Sequence, residues 1–177
     1  MYCIFYKSMA KKIIGLDLSI NSTGIYTSTG DYYIITSKMT KEMSKCMDVN
    51  IIDYEKTDNI NKNLEQIGDI IMYIITKYRP DLVVIEDVAM GATFSRSLID
   101  LTGLNYWVRA LLTNNNIKFI TVPPTRWKKE LIGNGQATKD LIIDAWKRIT
   151  KNNIKLKKTD DIADAYFLCQ YGLNLNA

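Results

Sequence analysis

Residues 11–24 read KKIIGLDLSINSTG and combine an apolar run with a single carboxylate. Apolar residues lead up to Asp17, after which small and polar residues interrupt the pattern. We therefore predict a short buried strand that ends in a carboxylate and is followed by a turn. A carboxylate at the end of a buried strand needs a compensating partner, and a metal ion is one such partner. The alternative is an exposed Asp17 that caps the turn.

The composition limits the chemistry that the chain can carry out. The 177 residues are enough for one domain with a sizeable core, which we assign to residues 11–177, with residues 1–10 as a dispensable extension. The sequence contains no histidine, which excludes His-based acid–base catalysis and His-ligated zinc. Its cysteines, Cys3, Cys46 and Cys169, lie far apart, so we expect a reducing compartment and no disulfide-linked partner. Since no apolar run approaches the length of a membrane span, we expect no membrane association.

Charge is distributed unevenly along the chain. Residues 118–158 contain eleven Lys or Arg and three acidic residues, a local balance of +8, whereas the net charge of the whole chain is +4. The remaining residues therefore carry a net charge of −4. A basic segment beside an acidic one suits a surface that binds a polyanion next to a carboxylate centre. The simpler alternative is a solvated charged surface.

The order of predicted elements indicates a mixed α/β sheet of five strands flanked by helices. The strand 82–85 is a continuous apolar run that leads directly into a second acid, Glu86. We assign no element to residues 39–57, and we expect Thr159 or Asp160 to cap the last helix. The other predicted strands are 24–29, 32–37 and 117–121, and the predicted helices are 58–78, 94–113, 138–149 and the last helix from 159 onward. The apolar face predicted for helix 94–113 is formed by Leu98, Leu101, Leu104 or Asn105, Val108 and Leu111. The buried side predicted for helix 138–149 carries Leu141, Ile142, Ala145, Trp146 and Ile149.

A further group of acids lies at the start of the last helix, in the sequence TDDIADAYFL. Asp161 and Asp164 are three residues apart and share a helix face, and Asp160 and Asp164 share one as well. Acids in a first helical turn are also common without any further role. If they converge with Asp17 and Glu86 at the carboxyl edge of the sheet, their charges require cations. Oxygen-only ligand sets suit Mg²⁺ or Mn²⁺, and two such ions support in-line cleavage of a phosphodiester.

The sequence resembles the RuvC family of Holliday-junction resolvases, within the ribonuclease H-like superfamily, and its phage-encoded members in particular. The motifs that carry this resemblance are GLDLSINSTG, LVVIEDV, WKKELIGNGQATK and DDIADA. The resemblance implies an RNase H-like sheet in a single domain and a metal-dependent endonuclease that cuts four-way junctions. It also implies a homodimer, two Mg²⁺ ions for which Mn²⁺ can substitute, and a location in the cytoplasm, that of the host cell if the chain is phage-encoded.

The family pattern, carried over to this sequence, assigns roles to individual residues. It implies that Asp17, Glu86, Asp161 and Asp164 are the catalytic metal ligands, with Asp160 as an alternative to Asp161. Lys139 would steady the scissile phosphate. Lys128 would grip a backbone phosphate, and Arg126 and Lys129 beside it are further candidates for DNA binding.

One stretch departs from the family pattern. Members often place an aromatic residue just after the strand-tip Glu, where it opens the junction, but residues 87–90 read DVAM. Phe94 is the nearest aromatic residue, and Met90 is a poorer substitute for one. We therefore expect looser selectivity that extends to forks and flaps.

Several alternatives stay open from the sequence. The apolar face of helix 94–113 is a candidate dimer interface, and ordinary core packing explains it equally well. The chain could act on RNA or RNA–DNA hybrids, or bind junctions without cutting them. GLDLSINSTG would also suit the sugar-kinase and actin ATPase superfamily. The chain is short for two such lobes, however, and it has no second glycine-rich phosphate loop.

Overall fold

The computed structural model describes residues 11–88, 95–152, 154 and 156–175. The described residues form a six-stranded mixed sheet with helices on both faces. The strands are β1 (Ile13–Asp17), β2 (Ser22–Thr27), β3 (Tyr32–Thr36), β4 (Asn50–Asp53), β5 (Leu82–Glu86) and β6 (Phe119–Val122). The helices are α1 (Ile60–Tyr78), α2 (Arg96–Asn114), α3 (Pro124–Ile132), α4 (Lys139–Thr150) and α5 (Thr159–Asn174), and a short 3₁₀ turn covers Met43–Lys45.

The strand order is β4-β3-β2-β1-β5-β6, which confirms the predicted mixed α/β architecture. β1 pairs antiparallel with β2, and β2 pairs antiparallel with β3. β5 lies parallel to both β1 and β6 because a helical crossover precedes each of the strands β5 and β6. The strand that carries Asp17 and the strand that carries Glu86 are therefore direct neighbours in the interior of the sheet.

The prediction of five strands was wrong, because β4 was missed. β4 pairs parallel with β3 at the edge of the sheet, and its side chains are exposed or only partly buried. An edge strand of four residues without a buried face leaves no apolar alternation in the sequence. Its pairing with β3 is a tertiary interaction that residues 39–57 do not reveal.

The two faces of the sheet bury separate cores. Alternate residues of β1 point to opposite faces, so that Ile14 and Leu16 pack with α1 and α2, whereas Ile13 packs with α3, α4 and α5. Within α2, the side chains of Leu104, Val108 and Leu112 are fully buried in the first of these cores. Much of the apolar stripe considered for a dimer interface is therefore core packing.

Helix α5 lies directly against the central strands, and glycine makes this close approach possible. A Cβ atom at Gly15 would lie 2.1 Å from the Ala165 carbonyl oxygen and 2.5 Å from the Cys169 nitrogen. Both contacts are with helix backbone, which no side-chain rotation can relieve. The register of α5 on β1, and with it the position of the acids at the start of α5, depends on this absence of a side chain.

We expect Gly15→Ala to destabilise the protein by about 3 kcal/mol, since α5 would have to move away from β1. Chemical denaturation monitored by circular dichroism measures the change. Gly103→Ala in α2 is the matched control, because its Cβ would meet only Leu64 Cδ1 at 3.5 Å and alanine favours a helix. Equal denaturation midpoints for Gly15→Ala and the parent would contradict the close packing of α5.

Some local predictions need correction. Pro124–Ile132, for which the sequence predicted no element, form the helix α3, and Pro124 begins it. Lys158 precedes α5 at the cap position without a side-chain hydrogen bond, so neither Thr159 nor Asp160 is the cap. The Thr159 hydroxyl bonds to the Leu156 backbone instead. β2 begins two residues earlier than predicted, and Leu141 and Ile149, predicted to be buried, are about half exposed.

The remaining predictions concern the cysteines, residues 1–10 and membrane spans. Cys46 and Cys169 are free thiols, whereas Cys3 and residues 1–10 lie outside the described residues. In the part of the chain that the structure describes, the helices lack the combination of length and apolar character needed to cross a membrane.

Candidate active site

Two of the predicted acids lie at the ends of adjacent parallel strands. Leu16 pairs with Ile85, so that Asp17 and Glu86, one residue further on, end β1 and β5 side by side. Both follow the alternation that turns Ile13 and Val84 toward α5. Asp17 and Glu86 therefore share the face of the sheet that α5 covers, at its carboxyl edge.

The start of α5 brings the second pair of acids to the same edge. Gly24, which pairs with Asp17, faces the backbone of Asp161, and a Cβ atom there would lie 2.1 Å from the Asp161 carbonyl oxygen. The Ser22 hydroxyl, two residues away on β2, donates a short hydrogen bond to Asp161 Oδ2. Asp164 is one helical turn further along α5.

Asp160 has a different partner from its neighbour Asp161. The Lys139 ammonium, at the first residue of α4, donates to Asp160 Oδ2 at 2.5 Å. The structure therefore places Asp161 beside β2, and it places Asp160 toward α4. This separation favours Asp161 over Asp160 as the member of the acidic group at the sheet edge.

Burial and the charges of neighbouring acids act together on the pKa values of these side chains. Burial raises the pKa of Asp17 well above its usual value, and the charges of Asp164, Glu86, Asp161 and Asp160 raise it further. Burial raises the pKa of Asp164 to about 7, with Glu86 adding to the effect. The pKa of Asp161 is raised to about 6 by burial, although the Ser22 hydrogen bond opposes the change. The pKa of Glu86 is also raised by burial.

The donor set at this edge fits a hard divalent cation. The side chains offer carboxylate oxygens, which Mg²⁺ and Mn²⁺ prefer. Asp164 Oδ1 is buried and has no hydrogen-bond partner, which is costly for a carboxylate oxygen unless a cation or solvent compensates it. Within the described ranges, however, no group of three or more acidic or cysteine side chains is already arranged to hold a metal ion. One carboxylate oxygen of Glu86 and one of Asp161 each accept a hydrogen bond from a protein donor.

The predicted basic residues divide into two groups around the acids. Lys128 is close enough to lower the pKa values of both Glu86 and Asp164, and Lys139 binds Asp160. Arg126 lies elsewhere on α3, where its guanidinium pairs with Glu130 at 3.1 Å and packs 5.9 Å from the centre of the Tyr171 ring. Lys129 is exposed.

Sequence reasoning missed side chains that hold Glu86 in place. The buried Trp127 indole donates from Nε1 to Glu86 Oε1 at 2.8 Å. The Asn105 side-chain amide donates to the Glu86 carbonyl oxygen at 3.0 Å. Trp127 lies within the quoted basic motif, and a tryptophan on the buried side of a helix usually needs an acceptor for its N–H. That signal could have identified a polar partner for Trp127, although not which one.

The stretch after Glu86 is described only in part. Asp87 accepts a hydrogen bond at 2.7 Å from Arg109 on α2, and this ion pair holds the first residue beyond the strand. Met90 and Phe94, the positions considered for the junction-opening role, lie outside the described residues.

A family profile and known proteins of similar sequence point to one family. The profile of the family described as "Crossover junction endodeoxyribonuclease RuvC" matches residues 13–169. A crossover junction endodeoxyribonuclease RuvC from Alkaliphilus oremlandii is 30% identical over 156 residues, which cover 86% of this chain and 87% of that protein. The RuvC of Orientia tsutsugamushi (strain Boryong) is 27% identical over 158 residues, 87% of this chain and 92% of its own length.

Solved structures match the fold at lower sequence identity. T. thermophilus RuvC in complex with a Holliday junction substrate superposes with a TM-score of 0.65 at 11% identity, covering 94% of this chain and 96% of that one. The fowlpox virus resolvase, solved with Holliday junction DNA, gives a TM-score of 0.52 at 18% identity and covers 93% of this chain and 98% of its own. With the family profile spanning the whole sheet and most of α5, the chain belongs to the RuvC family of crossover junction endodeoxyribonucleases.

Proposed function

We propose that this protein is a structure-specific endonuclease that cuts four-way DNA junctions by metal-dependent phosphodiester hydrolysis. The observation that carries the proposal is the meeting of Asp17, Glu86, Asp161 and Asp164 at one edge of the sheet in a member of this family. Carboxylates so close to one another favour the binding of divalent cations. A cytoplasmic location, where such DNA would be met, is part of the same proposal.

The proposed ligands are Asp17, Glu86, Asp161 and Asp164, and the proposed cofactor is Mg²⁺, two ions per site, with Mn²⁺ as a substitute. When bound, such ions supply an activated water and neutralise charge on the phosphate and the leaving oxygen. Ser22 would hold the Asp161 carboxylate in place during binding, since its hydroxyl already donates to Oδ2. The unpartnered Asp164 Oδ1 is the oxygen with most to gain from a cation.

Basic side chains near the acids would hold the DNA strand. Lys139 and Lys128 flank the carboxylates from α4 and α3, so each can contact a phosphate beside the cleaved bond. We assign Lys139 to the scissile phosphate and Lys128 to a neighbouring one. Arg126 and Lys129 would add positive potential along α3 rather than act at the cleaved bond, because Arg126 packs against Tyr171 and Glu130.

The experiment that tests this function compares labelled substrates at equal protein concentration in Mg²⁺. We expect paired, symmetric nicks in a synthetic four-way junction, slower nicking of forks and flaps, and none in plain duplex. The family membership argues against the sugar-kinase and actin ATPase alternative. Cleavage of an RNA–DNA hybrid but not of the junction would favour the RNase H-like alternative. Binding of the junction without any nick would favour a non-catalytic protein.

Two symmetric cuts require two active sites, so we propose a homodimer. The exposed surface that suits it lies between α1 and α2, where Leu64, Gly103, Tyr106 and Trp107 line an open groove of about 810 Å³. Tyr106 is 64% exposed and Trp107 is 40% exposed, which is unusual for large aromatic side chains on adjacent positions. This groove lies beside the buried stripe of α2 rather than on it.

We expect Tyr106→Glu to convert the dimer to a monomer, because a charge at the contact would have to be desolvated on association. Sedimentation velocity measures the change. Tyr73→Glu on α1 is the matched control, since Tyr73 is 66% exposed and does not line the groove. A dimer that persists in Tyr106→Glu, or one that is lost equally in Tyr73→Glu, would contradict this interface.

A further inference from the structure

Trp127 is a buried residue of the core that also donates a hydrogen bond to Glu86 in the candidate active site. Its side chain is fully buried and stacks on Phe167 of α5, with ring centres 5.9 Å apart and an interplanar angle of 16°. Its indole N–H donates to Glu86 Oε1 at 2.8 Å. The ring is thus fixed by packing on one side and bonded to a proposed metal ligand on the other.

The fold brings Trp127 to Glu86 through a short connection. Glu86 on β5 pairs with Val122, the last residue of β6, and α3 begins at Pro124. The first turn of α3 therefore starts level with Glu86, and the turn places Trp127 on its buried side. The rings of Pro123 and Pro124 fix the φ angles and stiffen this connection, and neither residue has a backbone N–H that would require an acceptor.

We propose that Trp127 is a positioning residue that holds the Glu86 carboxylate in its metal-binding orientation. The inference rests on the proposed function in one respect, namely that Glu86 is a metal ligand. A free glutamate side chain at this edge would be pushed away by the negative charges of Asp17 and Asp164. The indole N–H opposes that repulsion by holding one carboxylate oxygen, and it keeps the orientation when no cation is bound.

The same indole also contacts the positively charged side chain of Lys128. The Lys128 ammonium lies 5.3 Å from the centre of the Trp127 ring, within the range of a cation–π contact. Trp127 therefore contacts both side chains: its N–H binds the Glu86 carboxylate, and its ring face lies against the neighbouring Lys128. Phenylalanine would keep an aromatic ring to stack on Phe167, and it would lose the N–H together with the volume of the second ring.

This difference defines the test, which is Mn²⁺ binding to the DNA-free protein by calorimetry, with Mg²⁺ half-saturation of junction nicking as a second readout. We expect Trp127→Phe to weaken Mn²⁺ binding about tenfold and to raise the Mg²⁺ concentration for half-maximal nicking by a similar factor. Trp146→Phe is the matched control. Trp146 is also fully buried, and its indole donates to the Tyr32 hydroxyl at 3.2 Å, away from the acids. It should lower the melting temperature and leave Mn²⁺ affinity unchanged.

The outcomes separate this inference from the function on which it rests. Parent-like Mn²⁺ affinity in Trp127→Phe, or an equal loss in Trp146→Phe, would overturn the role of Trp127 alone. A parent protein that binds no Mn²⁺ would overturn the metal site and this inference with it. If Trp127→Phe does not fold, replacement of Trp127 by 3-benzothienylalanine, which keeps the bicyclic shape and lacks the N–H, decides between the same results.

Discussion

Replacing Asp17 by Asn should abolish nicking of a four-way junction, with a rate lower by on the order of 10³-fold or more, while the junction is still bound. Asparagine keeps the size of the side chain but cannot ionise, so it removes the carboxylate charge that would hold a cation among the neighbouring acids. A neutral amide oxygen is a much weaker partner for Mg²⁺ than a carboxylate. Binding should persist because the basic residues of α3 and α4 supply the attraction to DNA. Gel assays of nicking in Mg²⁺ and of binding in EDTA measure the two effects.

The matched control for this variant is Asp69→Asn. Asp69 is exposed on α1, on the opposite side of the sheet from α5, so the same change of charge there should leave nicking within about twofold of the parent. Retention of parent-like nicking by Asp17→Asn would contradict the assignment of Asp17 as a ligand. Loss of junction binding together with nicking would show that the carboxylate acts on the fold or on DNA binding.

The second large effect concerns the stability of the chelated protein, which should fall as the pH rises. The folded-state pKa values of Asp164 and Asp161 are about 7 and about 6, above the ordinary value of 3.8 that they have in an unfolded chain. Protonation of these groups therefore stabilises the fold fully below about pH 4, and this stabilisation is lost as the pH rises through 6 and 7. Because the chain has no histidine, His titration cannot mask the trend in this range.

We expect the melting temperature in EDTA to be higher at pH 5 than at pH 8, and Mg²⁺ to restore part of the loss at pH 8. Asp164→Asn should raise the melting temperature at pH 8 in EDTA by several degrees, since it removes a charge whose burial costs on the order of 2 kcal/mol. The variant should also respond less to Mg²⁺. Differential scanning calorimetry measures all three effects.

Asp144→Asn on the exposed side of α4 is the control for this series and should leave the pH profile unchanged. A melting temperature that rises from pH 5 to pH 8 in EDTA would mean that the pKa values of Asp161 and Asp164 are not raised in the folded protein. A lower melting temperature for Asp164→Asn than for the parent would mean that the Asp164 carboxylate stabilises the fold through a contact of its own.

The central features of the fold were predictable because they leave strong local patterns. β1 and β5 are apolar runs that end in acids. Because these two buried strands are parallel, their carboxyl ends lie at the same edge of the sheet. β4 was not predictable, since a four-residue edge strand is defined by its partner rather than by its own sequence. The burial of α5 against Gly15 and Gly24 also depends on packing that no periodicity reports.

The sequence was enough to name the acidic residues of the candidate site, but it was not enough to name the side chains that form hydrogen bonds with them. The hydrogen bonds from Ser22 to Asp161 and from Trp127 to Glu86 join positions far apart in the chain. Only the folded structure shows which serine or tryptophan reaches which carboxylate. The resemblance to phage-encoded members and the loose selectivity inferred from residues 87–90 stay predictions.

The most direct test of a metal centre formed by Asp17, Glu86, Asp161 and Asp164 is a crystal structure of the protein soaked in Mn²⁺, with anomalous diffraction recorded at the manganese edge. We predict anomalous peaks between these carboxylates, with Asp164 Oδ1 among the oxygens bound to the metal. Peaks confined to other surfaces, or carboxylates that stay apart while Mn²⁺ is absent from this edge at saturating concentration, would contradict the proposed active site.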